Sequence, residues 1–297
     1  MKEEAVSFGN LGSLVGIVTP PIQKDSIHAK TAVLFLNAGI VHRVGAGRVY
    51  VKVARALASL GFLTLRFDLS GIGDSPVRSD DLSFEKSAIA ETQNAMDFLE
   101  RTKGIGSFIL LGGCSGARIA FNTASCDARV IGALFINFPS REEDDAAESP
   151  DAAHRSAFFY YRKAALFSLN SWWRLASGQA NYIQLVRALW FAMQRQIAAE
   201  EKACPQVRQF RSDLEALIDR HVHLAFICSE GDHRLDDLRA AGGKELRRLC
   251  RDGKLALEIV KRSDHTFSSL HDQEQLLKVI LKRASTMLQI SEHDAPN

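Results

Sequence analysis

Apolar residues in this chain fall into two kinds of run. Short continuous ones are "SLVGIV" (13–18), "AVLFLN" (32–37), "FLTLRFD" (62–68), "FILLG" (108–112), "VIGALFIN" (130–137), "VHLAFIC" (222–228) and "LALEIV" (255–260). They predict strands, and most are continuously apolar rather than alternating, as expected of strands buried on both faces. The second kind recurs with helical spacing. Residues 48–60 carry Val49, Val53, Ala56, Leu57 and Leu60 on one stripe, 84–100 follow Ser83 as N-cap, and 272–289 close the chain. Alternation of strand and helix predicts an α/β architecture, a mostly parallel central sheet flanked by helices.

The rhythm breaks between about 140 and 216. The acidic loop "REEDDAAESPD" leads into "AFFYYRKAALFSLNSWWRL" and then "NYIQLVRALWFAMQRQIAAEE", with no strand signal. The expected domain organisation is a core of 1–139 and 217–297 with a helical cap, 140–216, inserted in it. Clustered aromatics need something to bury against, which favours a cap over a loose surface hairpin. They would form an apolar acyl pocket or the cap's own core. Lys163, Arg162 and Arg174 beside them suit a solvated helix face better than a bound phosphopantetheine or carboxylate.

Composition narrows the function classes. With 46% hydrophobic residues, 24% charged and a formal charge of +2, the chain of 297 residues reads as an ordinary globular protein. Acids and bases are mixed along it, so no nucleic-acid partner is expected. No apolar stretch reaches the roughly 18–20 residues of a membrane span, and "MKEEAVSFGN" lacks the basic start and apolar run of a signal peptide. Five cysteines, at 114, 126, 204, 228 and 250, show neither paired spacing nor a C-x-x-C motif. A reduced, cytoplasmic protein is expected, with no metal and no cofactor. Homodimerisation stays open.

The chemistry concentrates in "GGCSGA" (112–117). Strand, G-x-nucleophile-x-G, helix is the pattern of a nucleophile elbow, whose flanking positions must be small. Gly112 and Gly116 in those positions put Cys114 at the apex. The alternative register, with Ser115 between Gly113 and Ala117, is the poorer match. Asp232 lies just beyond "VHLAFIC" and His265 just beyond "LALEIV", so both should project from the carboxyl edge of a parallel sheet beside the elbow. The order nucleophile, acid, base is that of a Ser-Asp-His triad with sulfur replacing oxygen. Asp236 and Asp237 are reserve acids, and Asp264, next to the histidine, is expected to be part of its loop.

These motifs resemble the α/β-hydrolase superfamily, in its serine-aminopeptidase-like branch. "LNAGIVHR" (36–43) stands where that family has its His-Gly oxyanion turn, "LRFDLSGIGDS" (65–75) matches R-x-D-x-x-G-x-G-x-S, "CSEGD" (228–232) ends in the acid, and "SDHTF" (263–267) carries the histidine. The elbow, "SEGD…LDDL" and "WWRLASGQ" are similar to a bacterial subgroup with cysteine nucleophiles, which includes hydrolases associated with the exosortase system and with natural-product gene clusters. The resemblance implies the α/β-hydrolase fold, attack by Cys114, proton transfer by His265 and its orientation by Asp232. It also implies an oxyanion hole from the Ser115 N–H and a second N–H after Gly39, assigned to Ile40. The chain departs from the family with Asn37-Ala38-Gly39 in place of His-Gly. His42 and Arg43 would line the pocket or bind a carboxylate, or simply face water. Arg66, Asp68, Gly71, Gly73 and Ser75 would brace the turn below the site, and Ser115 would lend its amide rather than its hydroxyl.

Sulfur restricts the substrate. A thiol of pKa about 8.5 is expelled from a tetrahedral intermediate far more readily than an alkoxide, whose conjugate acid lies near water's roughly 15.7. Thioesters and activated esters, free or carrier-bound, suffer no such handicap. The expected function is hydrolysis of ester or thioester bonds. Acyl transfer on the same residues is the alternative, and a catalytically idle scaffold or ligand-binding protein is the reading from another class. No G-x-G-x-x-G follows an early strand, which disfavours a dinucleotide-dependent dehydrogenase.

Overall fold

The structure is a computed structural model in which residues 2–22, 30–140 and 205–293 are described. Eight strands form one sheet: β1 (Glu4–Phe8), β2 (Leu14–Thr19), β3 (Thr31–Leu36), β4 (Leu63–Phe67), β5 (Ser107–Gly113), β6 (Val130–Ile136), β7 (His223–Ser229) and β8 (Leu255–Val260). Their order is β1-β2-β4-β3-β5-β6-β7-β8. The first two strands join antiparallel, and every pairing from β4 to β8 is parallel. The helices are α1 (Val49–Ser59), α2 (Phe84–Lys103), α3 (Ser115–Cys126), α4 (Pro205–Asp219), α5 (Arg234–Arg251) and α6 (Leu270–His293).

All seven expected strands are present. The eighth, β1, was invisible as a pattern because it is an edge strand on which only Phe8 is buried, against Phe98 and Phe67. The central strands are continuously apolar because helices cover both faces. On one side Val53, Leu57, Leu276 and Ile280 of α1 and α6 pack on Val33, Ile109, Leu134 and Ala225. On the other, Phe121, Phe135, Phe138, Phe210 and Phe226 form a chain of ring contacts at 4.9–5.8 Å. Fully burying one such ring contributes about 1.5–3 kcal/mol. Helix α2 follows Ser83 and stops at Gly104, whose φ of 68° makes a left-handed C-cap.

The chain divides into two compact units, Met1–Ser140 with Phe210–Asn297, and Arg141–Gln209. The helical cap expected at 140–216 lies, for residues 141–204, outside the described residues. Among the described residues no helix is long and apolar enough to cross a membrane, and no group of three or more His, Cys, Asp or Glu is placed to hold a metal ion.

Candidate active site

The carboxyl edge of the parallel strands gathers the site. Strand β5 passes into α3 through Cys114 alone, at φ 52° and ψ −123°. A non-glycine residue held there costs on the order of 1–3 kcal/mol and persists only where its surroundings enforce it. The enforcement is visible. The Cys114 N–H donates to the Ile136 carbonyl at 2.9 Å, and its own carbonyl accepts from the Ala117 N–H at 2.9 Å. A Cβ on Gly112 would stand 2.2 Å from the Gly116 carbonyl oxygen, and one on Gly116 would stand 2.5 Å from that of Asn37. The backbone thus adopts the register with Cys114 at the apex, and Ser115 is the first helical residue.

Tyr50, which the sequence analysis took only as part of a helical stretch, sets the approach to the apex. Its hydroxyl accepts from the Gly113 N–H at 3.0 Å and donates to the Leu36 carbonyl at 3.1 Å, tying β5 to β3 immediately before Cys114. Burial holds this hydroxyl well above the usual tyrosine range, so it stays protonated. Tyr50→Phe leaves a buried N–H and a buried carbonyl without this partner. A stability loss of about 1–3 kcal/mol in chemical denaturation is expected, and an unchanged midpoint would refute the bridge's importance.

His265 follows β8, and Asp232 follows β7. The two side chains meet with Nδ1 2.5 Å from Oδ2, and the same imidazole hydrogen-bonds the Cys114 thiol. Asp232 is buried, and its Oδ1 accepts the Arg234 N–H at 3.1 Å. Burial alone would raise its pKa, but the hydrogen bonds from His265 and Arg234 outweigh it and the carboxyl sits below its ordinary value. Asp236 and Asp237 lie in the first turn of α5, where they face Arg239 and His233 instead. Asp264 holds the histidine loop, accepting the N–H groups of Thr266 and Ser268 at 2.9 and 3.1 Å.

Two more residues, which no motif in the sequence singled out, complete the cluster. Asn137, buried at φ 48°, donates from Nδ2 to the His265 carbonyl at 2.8 Å while its Oδ1 accepts the Ser229 N–H at 2.8 Å. It therefore joins the ends of β6, β7 and the histidine loop. The polar residue closing the apolar run of β6 was the only hint. Arg234 places Nη1 3.0 Å from Nδ1 and 3.1 Å from Nε2 of His265.

The charges follow from these contacts. The hydrogen bond from His265 leads in lowering the Cys114 pKa, with the Arg234 cation assisting against burial. The Asp232 bond leads in raising His265 to about 9, supported by Cys114 and opposed by burial and Arg234. Cys126, Cys228 and Cys250 are all shifted the other way by burial, Cys228 to about 12. Among these four cysteines, only Cys114 has its pKa lowered, the direction that favours the thiolate.

The loop after β3 faces the elbow. Ala38 and Val41 bridge a tight turn in which Gly39 has φ 58°. The Gly39 amide donates to Ser115 Oγ at 2.8 Å. The next residue is Ile40, whose amide is the expected second oxyanion donor and whose side chain is 93% exposed. Asn37 stabilises the turn from below. Its Nδ2 donates to the Val41 carbonyl at 3.0 Å and to Asp68 at 3.3 Å, and its Oδ1 accepts the Leu69 N–H at 2.9 Å. Arg43 does meet carboxylates, but they are the protein's own, Asp68 and Asp74. His42 is exposed. Asp68 is fully buried and also receives the Arg43 N–H at 2.6 Å. The Ser75 hydroxyl donates to the Asp68 carbonyl at 2.7 Å, while Arg66 reaches away to Glu3.

A sequence model described as "alpha/beta hydrolase fold" matches residues 32–148. No curated protein matches the chain in sequence. Many solved structures match in three dimensions. An alpha-beta serine hydrolase homologue from Coxiella burnetii is 12% identical with a TM-score of 0.53, over 95% of this chain and 96% of that one. A protein from Xanthomonas campestris, described as an a/b serine hydrolase without lid, is 14% identical with a TM-score of 0.56, over 100% and 98%. Proline iminopeptidase from Mycobacterium smegmatis is 15% identical with a TM-score of 0.51, over 98% and 100%. Strand order, elbow and these likenesses lead to one conclusion: the chain is a protein of the α/β-hydrolase fold.

Proposed function

We propose that this protein cleaves acyl bonds, preferentially thioesters or activated esters, through a covalent intermediate on Cys114. One observation carries the reading: carboxylate, imidazole and thiol form a continuous hydrogen-bonded chain from Asp232 through His265 to Cys114. In the first step the Cys114 thiolate attacks the acyl carbon, a C–S bond forms, and the carbonyl π pair moves onto oxygen. That pair returns to re-form C=O as the bond to the leaving group breaks. The leaving group departs with its electron pair and takes its proton from the His265 imidazolium. Neutral His265 then draws a proton from water as its oxygen bonds to the acyl carbon, and the C–S bond breaks with its electron pair returning to sulfur, which releases the acid and restores the Cys114 thiolate beside the His265 imidazolium. Asp232 holds the imidazole's orientation and stabilises its charged form.

Sulfur sets the substrate preference. The tetrahedral intermediate partitions toward the weaker base, and an alkoxide is a far stronger base than the Cys114 thiolate. Acylation by octanoyl-N-acetylcysteamine, followed by intact mass, should therefore exceed acylation by ethyl octanoate at least about tenfold. Equal rates would refute the leaving-group argument, and absence of any adduct with either would refute the acyl-cysteine itself.

A further inference from the structure

The Ser115 hydroxyl occupies an unusual place for a residue whose amide alone was expected to matter. It is the first residue of α3, directly after the N-cap Cys114. Its Oγ accepts the Gly39 N–H at 2.8 Å, in a bond open to solvent beside the elbow. The turn that supplies this amide is fixed by the Val41 N–H to Ala38 carbonyl bond at 3.1 Å and by Asn37 beneath it. Gly39 is therefore not free to aim its N–H directly at a substrate carbonyl unless Ser115 lets go. A hydroxyl that accepts one hydrogen bond still has its own proton to donate, and the bond it accepts strengthens that donation. The same bond draws electron density from Oγ, the reverse of what a nucleophile requires.

We propose that the Ser115 O–H is a catalytic donor to the oxyanion, so that Ser115 contributes both its N–H and its hydroxyl while Gly39 acts through it as a positioning residue. This rests on the acyl-Cys114 reading above. No proton is transferred: the hydroxyl keeps its hydrogen and shares it with the oxygen that becomes negative when the C–S bond forms, and releases it when C=O is restored. Placing a preorganised donor at developing charge is typically worth about 10²–10³ in rate.

The test compares two reactions of the same sulfur. Acylation by octanoyl-N-acetylcysteamine builds an oxyanion, whereas alkylation by iodoacetamide builds none. Ser115→Ala should slow acylation of Cys114 about 10²–10³-fold and leave the alkylation rate and its pH profile unchanged. Ser115→Thr, which restores a hydroxyl, should recover most of the loss. If Ser115→Ala does not fold, Ser115→Gly removes the same hydroxyl and is read in its place. Wild-type protein that acylates no faster than the hydroxyl-free variant overturns the donor role, as does an equal fall in acylation and alkylation, the mark of a merely structural brace. Wild-type protein that forms no adduct overturns the underlying acyl-cysteine reading instead. Peptide mapping that finds the acyl group on Ser115 overturns both.

Discussion

Cys114→Ala should abolish the acyl adduct and lower turnover by about 10⁴-fold or more, the loss seen when a covalent nucleophile is deleted from a preorganised site. The same substitution should remove the fast phase of iodoacetamide labelling, because the other described cysteines are held as thiols by burial. In the intact protein the pH dependence follows from two opposite shifts. The Cys114 pKa is lowered, so alkylation should rise with pH through a midpoint lower than that of an unperturbed cysteine in a short peptide. His265 is raised to about 9, so turnover should fall above that pH as the proposed imidazolium donor to the leaving group is lost. Both limbs belong to the coupled pair. Turnover that persists in Cys114→Ala, or a labelling midpoint no lower than that of the peptide cysteine, would contradict the thiolate–imidazolium assignment.

A large loss of stability is expected from substitution at Gly116. An added Cβ would lie 2.5 Å from the Asn37 carbonyl oxygen and 2.8 Å from that of Leu36. Both atoms are main chain at the end of β3, so no side-chain rotation relieves the overlap and the strand or α3 must move. Gly116→Ala is expected to cost about 3 kcal/mol or more in guanidinium denaturation, at the upper end for overpacking. Gly106→Ala provides the control, since a Cβ there meets nothing within 4 Å, and its effect should stay within about 0.5 kcal/mol. Similar midpoints for the two variants would disprove the crowding argument.

What could be read in advance had a local physical cause. Strands β3 and β5 to β7 announce themselves because burial on both faces forces continuous apolar runs, while β1, half-exposed at the sheet edge, had no such constraint. The elbow was legible because its crowding admits only small neighbours, a demand written into five consecutive residues. Asp232 and His265 were legible as residues just past strand ends. Tyr50, Asn137 and Arg234 were not. Tyr50 reaches Gly113 across 63 positions and Asn137 reaches His265 across 128, so their importance exists only once the sheet has formed. Arg43 illustrates the same limit from the other side. Its charge suggested a ligand contact, and only the fold revealed Asp68 and Asp74 as its partners.

Asn37 has a last consequence. At the head of the loop that bears Gly39 this chain carries a carboxamide with two N–H bonds given and one accepted. A carboxamide has no proton to gain or lose across the range in which enzymes work. Asn37 itself therefore brings no titrating group to the loop that bears Gly39.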